Sequence, residues 1–588
     1  TYEAGKLYNV LPSGNRAPDN KGGAGYDQTR ADFDFDRGSN AAATRIGSDG
    51  LLKKYQENKL LQSNQFDTTW VNYQSAETGG QPDKDGGNTA WKLTRLVDGA
   101  NSVIYQTGLS YSLATYSVYA KAAEENWIYI EGVGSTYPAQ FFDLQNGVKG
   151  TASGVGFVDS SITSVGGGWY RISITFNISG GNRVSIYQAT ANNTLSGSIG
   201  DGVYIMNAQL ESGLCSTEYL NSTSTTGKSG VLIDLPRINY DANGENGALL
   251  LEPSRQQLIQ FSEYFGSYTP LSATITDNVA TSPEGLVNAA SFIETSASGR
   301  HRTNTNSFSV TSGNAYTLSM FAKIASGSRL LCLNAGYLFN ARAYFNLASG
   351  SVEGTDSGSA SIEDYGNGWY RCSITGTSSI TGSSVAYFGL EDGASDNGYI
   401  GDGTSGHYWY GIQSEAGSYS SSYIPNHSGT GGVTRAADSC SVTGASDVIG
   451  QTEGTVFIDI NNRVLSPYPN EYVFYLTGTG SNQLWLRKES GGNNFTARLV
   501  VGGSNIWTIS VVPPNGLTKI ALAYKSGDSV VYLNGTQVNT SSATYSGNVL
   551  EDFYFSSVAS AYPELKLKQA TLFKERLTNA ELATLTTL

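Results

Sequence analysis

Three tryptophans have the chemistry of a sugar-binding site: Trp409, Trp485 and Trp507. A flat indole face stacks on the C–H face of a sugar ring when the indole is exposed in a shallow site. The competing interpretation is that a tryptophan within a strand lies in the core, with its N–H bonded to a neighbour. Both interpretations stay open for these three residues. Trp169 and Trp369 occupy matching places in an internal repeat, which indicates a requirement of the fold and predicts burial.

Two Gln-x-Glu phrases each place an amide and a carboxylate on one face of a strand. The residues are Gln209 and Glu211 in the first half of the chain, and Gln413 and Glu415 in the second. Such groups can line a sugar groove or, with nearby carbonyls, hold a calcium ion. We favour the alternative that each glutamate joins an ion pair or hydrogen-bond network, with Arg171 or Arg371 as a partner. Asp201 and Asp402, each followed by glycine, are typical of turns.

No combination of residues typical of an enzyme stands out. The three histidines, His301, His407 and His427, have no metal-ligand spacing. The sequence has no Gly-rich phosphate loop before a helix and no Cys-x-x-Cys pair. Its 50 acidic residues guarantee carboxylate pairs by chance. We therefore predict that the chain is not an enzyme. The rival prediction is a glycan hydrolase, which needs two carboxylates that converge on a cleft.

The composition is typical of an all-β protein. Gly (70) and Tyr (37) are abundant, and short runs of Val, Ile, Tyr and Phe alternate with turn residues. A net charge of −14, with 36 basic residues among 588, speaks against nucleic acid or an anionic membrane as a partner. We expect no segment that spans a bilayer and no signal peptide at Thr1. The four cysteines form no disulfide framework and are expected to be small buried hydrophobes.

A long segment of the chain occurs twice. Three phrases of the first copy recur in the same order in the second. The predicted strand at 116–121 matches 318–323, Gly-Trp-Tyr-Arg at 168–171 matches 368–371, and the Gln-x-Glu strand at 208–211 matches 412–415. The offset stays between 198, from Leu60 to Leu258, and 204, from Ala208 to Ile412. A period this long is that of a duplicated domain rather than of a solenoid repeat.

These patterns divide the chain into four predicted parts. They are a head of residues 1–54, a first repeat of 55–235, a second repeat of 236–437 and a C-terminal domain of 438–588. The predicted fold class is all-β, with tandem antiparallel β-sandwich (jelly-roll) domains behind a short N-terminal attachment segment. The head is too short to bury a core alone, so we expect it to pack on a neighbouring domain or on another chain.

Local patterns predict individual elements. In the head, Phe33 and Phe35 point to one side of a strand, and an Asp-Gly turn closes a hairpin before Leu52. In the first repeat, alternation places Tyr204, Met206, Ala208 and Leu210 on one face of a strand. In a different strand, it places Trp169 and Arg171 on the same face. Near the C-terminus we expect a hairpin over 518–535 and a short helix capped by Thr578 or Asn579.

The hairpin at 524–535, together with the closing segment 573–582, resembles the concanavalin A-like/laminin G superfamily. The resemblance implies a curved antiparallel jelly roll, which often binds glycans and sometimes calcium.

The two repeats resemble the carbohydrate-binding-module-like repeats of tailed-bacteriophage virion proteins. The shared phrases are those of the duplication, followed by Ser-Tyr-Ile-Pro at 422–425 and Thr-Arg-Ala-Ala-Asp at 434–438. The first repeat keeps only a degraded closing phrase at 218–221. In the head, the phrases at 34–37 and 43–52 resemble the opening of phage fibre or decoration proteins.

These resemblances imply a structural virion appendage, a head or tail fibre or decoration protein on the surface of a phage particle. The N-terminal segment would bind other virion proteins, the chain would form a homotrimer, and the sandwiches would adhere to host-surface or environmental glycans. Nucleic acid binding and membrane insertion are not expected. No cofactor is expected, with calcium as a candidate ion. The alternatives are a polysaccharide depolymerase, a secreted bacterial adhesin and a purely structural role.

Overall fold

The structure is a computed structural model that describes residues 7–10, 34–39, 42–233, 235–395, 397–462, 471–489, 494–514, 516–547, 549–555 and 565–588. Strands make up most of these residues and helices very few, which confirms the all-β prediction. Three large hydrophobic cores lie in the two repeats and in the C-terminal domain. Each core is enclosed by antiparallel strands.

The head contributes three short strands that pair with other parts of the chain. They are β1 (Leu7–Val10), β2 (Asp34–Asp36) and β3 (Thr44–Ile46). β3 forms the expected hairpin with the first strand of the first repeat, and its turn is closed by the bond from the Gly47 N–H to the Leu51 carbonyl. Phe35 packs against the core of the C-terminal domain. Phe33, its predicted companion, lies outside the described residues.

The first repeat has a ten-stranded sheet that encloses its core. Its strands are β4 (Leu52–Asn58), β5 (Val71–Tyr73), β6 (Ser75–Gln81), β7 (Ala90–Arg95), β8 (Val103–Ala122), β9 (Trp127–Val133), β10 (Ala139–Asp143), β11 (Val148–Ser153), β12 (Phe157–Gly166), β13 (Trp169–Ala189), β14 (Gly202–Ser212) and β15 (Gly227–Gly230). The sheet order is β11-β10-β9-β13-β8-β14-β7-β6, with β12 on β13 and β5 on β8, and the strands β4 and β15 form a separate small sheet with β3. The long strands β8 and β13 run through both layers and pair along most of their length.

A two-stranded linker and the second repeat follow. The linker strands are β16 (Ile238–Asn239) and β17 (Ala248–Leu251). The strands of the repeat are β18 (Arg255–Gln257), β19 (Ala273–Thr281), β20 (Val287–Glu294), β21 (Ser298–Gly299), β22 (His301–Asn304), β23 (Phe308–Val310), β24 (Ala315–Ser326), β25 (Leu330–Asn334), β26 (Arg342–Asn346), β27 (Ser351–Ser357), β28 (Ser359–Asp364), β29 (Tyr370–Thr377), β30 (Gly382–Ser384), β31 (Tyr387–Glu391), β32 (Tyr399–Ile400), β33 (Gly406–Ala416) and β34 (Val433–Arg435), with a helical turn α1 (Gly336–Phe339). Its core lies between the sheets β19-β20-β33-β24-β29-β28 and β22-β31-β25-β26-β27.

The C-terminal domain is a sandwich of two sheets. Its own elements are β35 (Ser439–Val442), β36 (Glu453–Asn462), β37 (Glu471–Gly478), β38 (Asn482–Lys488), β39 (Phe495–Val501), β40 (Ser504–Val511), β41 (Gly516–Lys525), β42 (Ser529–Leu533), β43 (Thr536–Ser541), β44 (Asp552–Tyr554), β45 (Leu565–Phe573) and α2 (Asn579–Thr586). The hairpin β41–β42 confirms the expected one. Thr578 and Glu581 form a reciprocal capping box at the start of α2, as the sequence predicts for Thr578.

Both sheets of the C-terminal sandwich include strands from elsewhere in the chain. One has the order β16-β17-β45-β36-β41-β42-β43, with β1 beside β17 on β45; the other has the order β2-β35-β44-β37-β38-β39-β40. The head therefore packs on a neighbouring domain, as expected. The linker strands fall in the range assigned to the second repeat, but they belong to this sandwich. The described head strands β1 and β2 therefore lie beside the C-terminal domain rather than beside the first repeat, which follows the head in sequence.

A β-bulge interrupts the alternation in β14 of the first repeat and in β33 of the second. In β14, Asn207 has a φ of +53° and the pairing with β8 shifts between Met206 and Gln209. In β33, Gly411 has a φ of +57° at the matching position. Ala208 and Leu210 lie in the core together with Ile205, whereas Met206 packs in a separate cluster. The prediction that Met206 shares a strand face with Ala208 and Leu210 is therefore wrong. The extra residue of the bulge exchanges the two faces.

Candidate functional site

Two of the three candidate tryptophans are core residues. Trp409 is 0 % exposed and stacks on Phe292 in the core of the second repeat, with 4.1 Å between ring centroids. Trp507 is 6 % exposed and shares its strand face with the core residues Ile509 and Val511. A buried ring offers no face to a sugar, so the prediction that these two form exposed platforms is wrong. Trp169 and Trp369 are buried, as predicted.

Trp485 differs because it lies on the outer face of the C-terminal sandwich, away from the core. Its strand neighbours Leu484 and Leu486 fill the core, so the residue between them points outward. The ring is only 3 % exposed because two guanidinium groups cover it. The Cζ atoms of Arg487 and Arg498 lie 4.8 Å and 4.9 Å from its ring centroid.

A continuous row of side chains crosses this outer face through Trp485. Register pairs join Tyr554 to Tyr475, Tyr475 to Trp485, Trp485 to Arg498, and Arg498 to Thr508. Directly paired residues point to the same face of an antiparallel sheet. Both tyrosines are half-buried, and burial raises the pKa of each phenol, so their hydroxyls stay protonated. We call these five residues the aromatic row.

The two arginines beside Trp485 differ in their electrostatic partners. Arg487 binds Glu489 through Nη2, with distances of 3.0 Å and 3.1 Å to the two carboxylate oxygens. Arg498 donates from Nε to the Thr508 hydroxyl at 3.2 Å. Among the residues that the structure describes, no carboxylate lies within ion-pair distance of Arg498. Its guanidinium is therefore a half-buried positive charge without a local counter-charge.

The Gln-x-Glu phrases bind the segment that follows them in each repeat, residues 217–220 in the first and 421–424 in the second. Gln413 donates to Glu415 at 2.6 Å and accepts from the Ile424 N–H at 2.7 Å, and Glu415 accepts from the N–H and hydroxyl of Ser421. In the first repeat the same bonds join Gln209, Glu211, Thr217 and Leu220. Both pairs are buried, which confirms the predicted hydrogen-bond network.

Neither arginine named for these glutamates is within ion-pair distance of its glutamate among the described residues, although the charge of Arg171 lowers the pKa of Glu211 against the larger raising effect of burial. Arg371 donates to the Ser421 carbonyl and the Ser319 hydroxyl rather than to Glu415. The ion pair of Glu415 is instead with Arg255, at 3.6 Å. Arg171 donates to the Ser117 hydroxyl and lies over the Tyr119 ring.

In the described ranges, no three His, Cys, Asp or Glu side chains come together as a group that could hold a metal ion. Asp402 accepts bonds from the backbone and hydroxyls of Thr404 and Ser405, which makes it the predicted turn residue. The helices among the described residues are too short or too polar to cross a membrane.

Sequence reasoning did not find Tyr475, Tyr554 and Arg498. The signal for the outward direction of Trp485 was present in the Leu-Trp-Leu triplet at 484–486. The cross-strand neighbours have no such signal, because they lie on three different strands and meet only through the register of the sheet.

No protein-family model and no curated protein matches the chain. Among solved structures, the binding domain of botulinum neurotoxin DC, in complex with rat synaptotagmin II, aligns at 13% identity over 26% of this chain and 40% of that chain, with a TM-score of 0.22. The tandem CBM22-1-CBM22-2 domain of Paenibacillus barcinonensis Xyn10C aligns at 8% identity over 65% and 99%, with a TM-score of 0.19. The Trypanosoma rangeli sialidase aligns at 10% identity over 89% and 98%, also with a TM-score of 0.19. Similarities with TM-scores this low do not bear on the function of this chain.

Proposed function

We propose that this chain is an adhesion protein that binds glycans non-covalently through the aromatic row of its C-terminal sandwich. The observation that carries the proposal is the cross-strand alignment of Tyr554, Tyr475, Trp485 and Arg498 on one outer sheet face. The half-buried rings of Tyr475 and Tyr554 can offer apolar surface to a sugar ring, and the phenol, guanidinium and threonine groups of the row can bond sugar hydroxyls. The Trp485 ring is covered by Arg487 and Arg498, so its role is to hold these two guanidinium groups on the outer face.

The charge on the row favours an acidic polysaccharide. A planar guanidinium binds a carboxylate through two parallel N–H bonds, and Arg498 has no carboxylate partner among the described side chains. A uronate or sialate carboxylate beside Trp485 would supply that partner. We therefore include a carboxylated sugar in the proposal.

The wider role proposed is that of a phage virion appendage, attached through the N-terminal segment and trimeric in the particle. The support is the resemblance of the repeats and of the head phrases to phage virion proteins. In this arrangement the C-terminal sandwich, whose sheets include β1 and β2 of the head, is the adhesive domain. Several copies on one particle would strengthen a weak contact through effective concentration.

The test is the binding of the purified chain to polygalacturonate, to polysialic acid and to neutral dextran. We expect binding to at least one acidic polymer, a loss of about tenfold or more in Arg498→Ala, and a comparable loss in Trp485→Ala. Arg302→Ala is the matched control, because Arg302 also stacks on an aromatic ring, that of Tyr387 at 4.1 Å, but in the second repeat. Binding that both outer-face variants leave unchanged, or silence toward all three polymers, would refute the proposal.

A further inference from the structure

A cavity of about 540 Å³ lies where the two repeats meet. Its walls include residues within the ranges 54–57 of β4, 110–113 of β8, 211–217 and, from the second repeat, 284–288 and 425–428. The volume is within the range of small-molecule binding sites. The cavity is separate from the aromatic row, whose residues are not among its walls.

The lysines around this cavity are paired with carboxylates, and the wall residue Glu211 accepts hydrogen bonds from Gln209 and Thr217. Lys54 Nζ lies 2.7 Å from Glu284 and 3.0 Å from Glu263, and His427 Nε2 lies 3.0 Å from Glu263. Burial lowers the pKa of Lys54, but the two glutamates outweigh burial and leave it above its usual range, so the amine stays charged. Lys59 lies 3.7 Å from Glu57. A ligand with a net charge would have to compete with these pairs, so the cavity favours an uncharged ligand.

One wall residue has a buried polar atom without a partner. Asn288 is 2 % exposed, and its Nδ2 donates to Glu284 at 2.8 Å. Its Oδ1 is buried and has no hydrogen-bond partner within the described part of the chain. An acceptor that is buried without a partner destabilises the folded state, because it has lost its hydrogen bonds to water. A ligand hydroxyl that donates to Oδ1 would remove that destabilisation.

The remaining walls are a mixture of apolar and hydroxyl-bearing side chains. The apolar ones are Leu113, Leu214, Leu286 and Val433, and the polar ones include Thr217 and Ser428. A sugar has both kinds of surface, with apolar C–H faces and a rim of hydroxyls. The walls are complementary to it in both respects.

We propose that the cavity between the repeats binds a short, uncharged, hydroxyl-rich ligand, such as a neutral mono- or disaccharide. The ligand would donate a hydroxyl to Asn288 Oδ1 and place its C–H surface against the leucines. This second site is independent of the aromatic row, and it takes a neutral sugar where the row takes an acidic polymer.

The test is titration calorimetry and ligand-observed NMR on the full chain with maltose, lactose and cellobiose. We expect at least one of them to bind, and Asn288→Leu, which removes the unpaired acceptor, to weaken binding about tenfold or more. Ser212→Trp introduces a bulky ring from an exposed wall position and should abolish binding without unfolding the repeat. If Asn288→Leu is unstable, Ser212→Trp still tests whether the sugar binds in this cavity.

Two controls separate this site from the aromatic row. Ser164→Trp makes the same change at an exposed position of β12 outside the cavity, and should bind like the wild type. Trp485→Ala should also keep disaccharide binding while it loses polymer binding. Absence of binding by all three disaccharides would overturn the proposal, as would binding that neither Asn288→Leu nor Ser212→Trp reduces.

Discussion

Trp485 and Trp507 lie in the same sheet, two strands apart, but their side chains point to opposite faces. Trp485 stands between two core leucines and faces outward, whereas Trp507 shares the inner face with Ile509. Residue type is the same in both, so the position of each tryptophan in the period of its strand decides whether it can meet a ligand. At the residue scale, strand alternation is the information that separates a candidate binding residue from a core residue.

His407 is a buried histidine of the second repeat that is held in its neutral form. Its Nε2 lies 2.9 Å from the Arg329 carbonyl oxygen. Burial lowers the pKa of His407 from an ordinary 6.5 to about 4, and the smaller raising effects of the Arg329 bond and of Glu294 do not offset it. The unfolded chain therefore takes up a proton at a higher pH than the folded one.

We predict that His407 contributes a loss of stability to the second repeat as the pH falls from about 6.5 to about 4, whereas burial of Asp277, which raises the pKa of that carboxyl to about 6, acts in the opposite direction. In that window the proton of His407 binds the unfolded state first, so the contribution of His407 to the free energy of unfolding falls by on the order of 3 kcal/mol. Scanning calorimetry of the full chain at stepped pH values measures this. His407→Gln, which keeps a donor for the Arg329 carbonyl, should show a flatter pH dependence in the same window. An equal slope in both proteins would exclude His407 as the cause.

At the scale of the element, the strands β14 and β33 have a bulge with a positive φ at the same position. Each repeat uses a residue that tolerates a positive φ, Asn207 in one and Gly411 in the other. The bulge allows residues on both sides of it to face the core. It also places the Gln-x-Glu side chains within hydrogen-bond distance of residues 217–220 in the first repeat and 421–424 in the second. Duplication has preserved the backbone conformation although the residue type changed.

We predict that Gly411→Val destabilises the second repeat by about 2–4 kcal/mol. A β-branched side chain disfavours the left-handed conformation, and its Cβ would lie 3.0 Å from Phe321 and 3.1 Å from Tyr423. Gly382→Val is the matched control, because Gly382 is in a strand of the same repeat with no atom within 4 Å of an added Cβ. The measurement is the midpoint of the corresponding calorimetric transition. Equal effects of the two substitutions would contradict the role given to the bulge.

At the scale of the whole molecule, a buried ionic cluster joins the head, the linker, the second repeat and the C-terminal domain. Asp438 binds Arg37 at 3.1 Å and also binds Arg237. Glu252 binds Arg237 at 2.8 Å and Arg435 at 3.1 Å. The sequence phrases at 34–37 and 434–438, which carried the resemblance to phage proteins, thus have a structural role at this joint.

We predict that Asp438→Ala destabilises the chain by about 3–5 kcal/mol, because Arg37 would keep a buried charge without its carboxylate partner and Arg237 would keep only Glu252. Asp528→Ala is the control: Asp528 pairs with Arg576 at 3.0 Å, but its side chain is 61% exposed, so the loss should be about 1 kcal/mol or less. Calorimetry and limited proteolysis of both variants make the comparison. Similar losses in the two would show that the joint is not held by this cluster.

Local order along the chain was sufficient to determine the all-β class, the duplication, the burial of Trp169 and Trp369 and the helix cap at Thr578. These depend on composition, on periodicity and on neighbours a few residues away. The Gln-x-Glu network was predictable in kind, but its arginine partner was not, since Arg255 and Arg371 compete for the same region from different strands.

Only the tertiary structure decided which strands pair across long distances. The head and linker strands enter the sheets of the C-terminal sandwich, and nothing within four or five residues of β1, β2 or β17 specifies that pairing. The aromatic row and the cavity between the repeats arise in the same way. A site whose members lie on separate strands or separate domains exists only after register and packing are set, because backbone hydrogen bonds are the same for every register and side-chain burial selects among them.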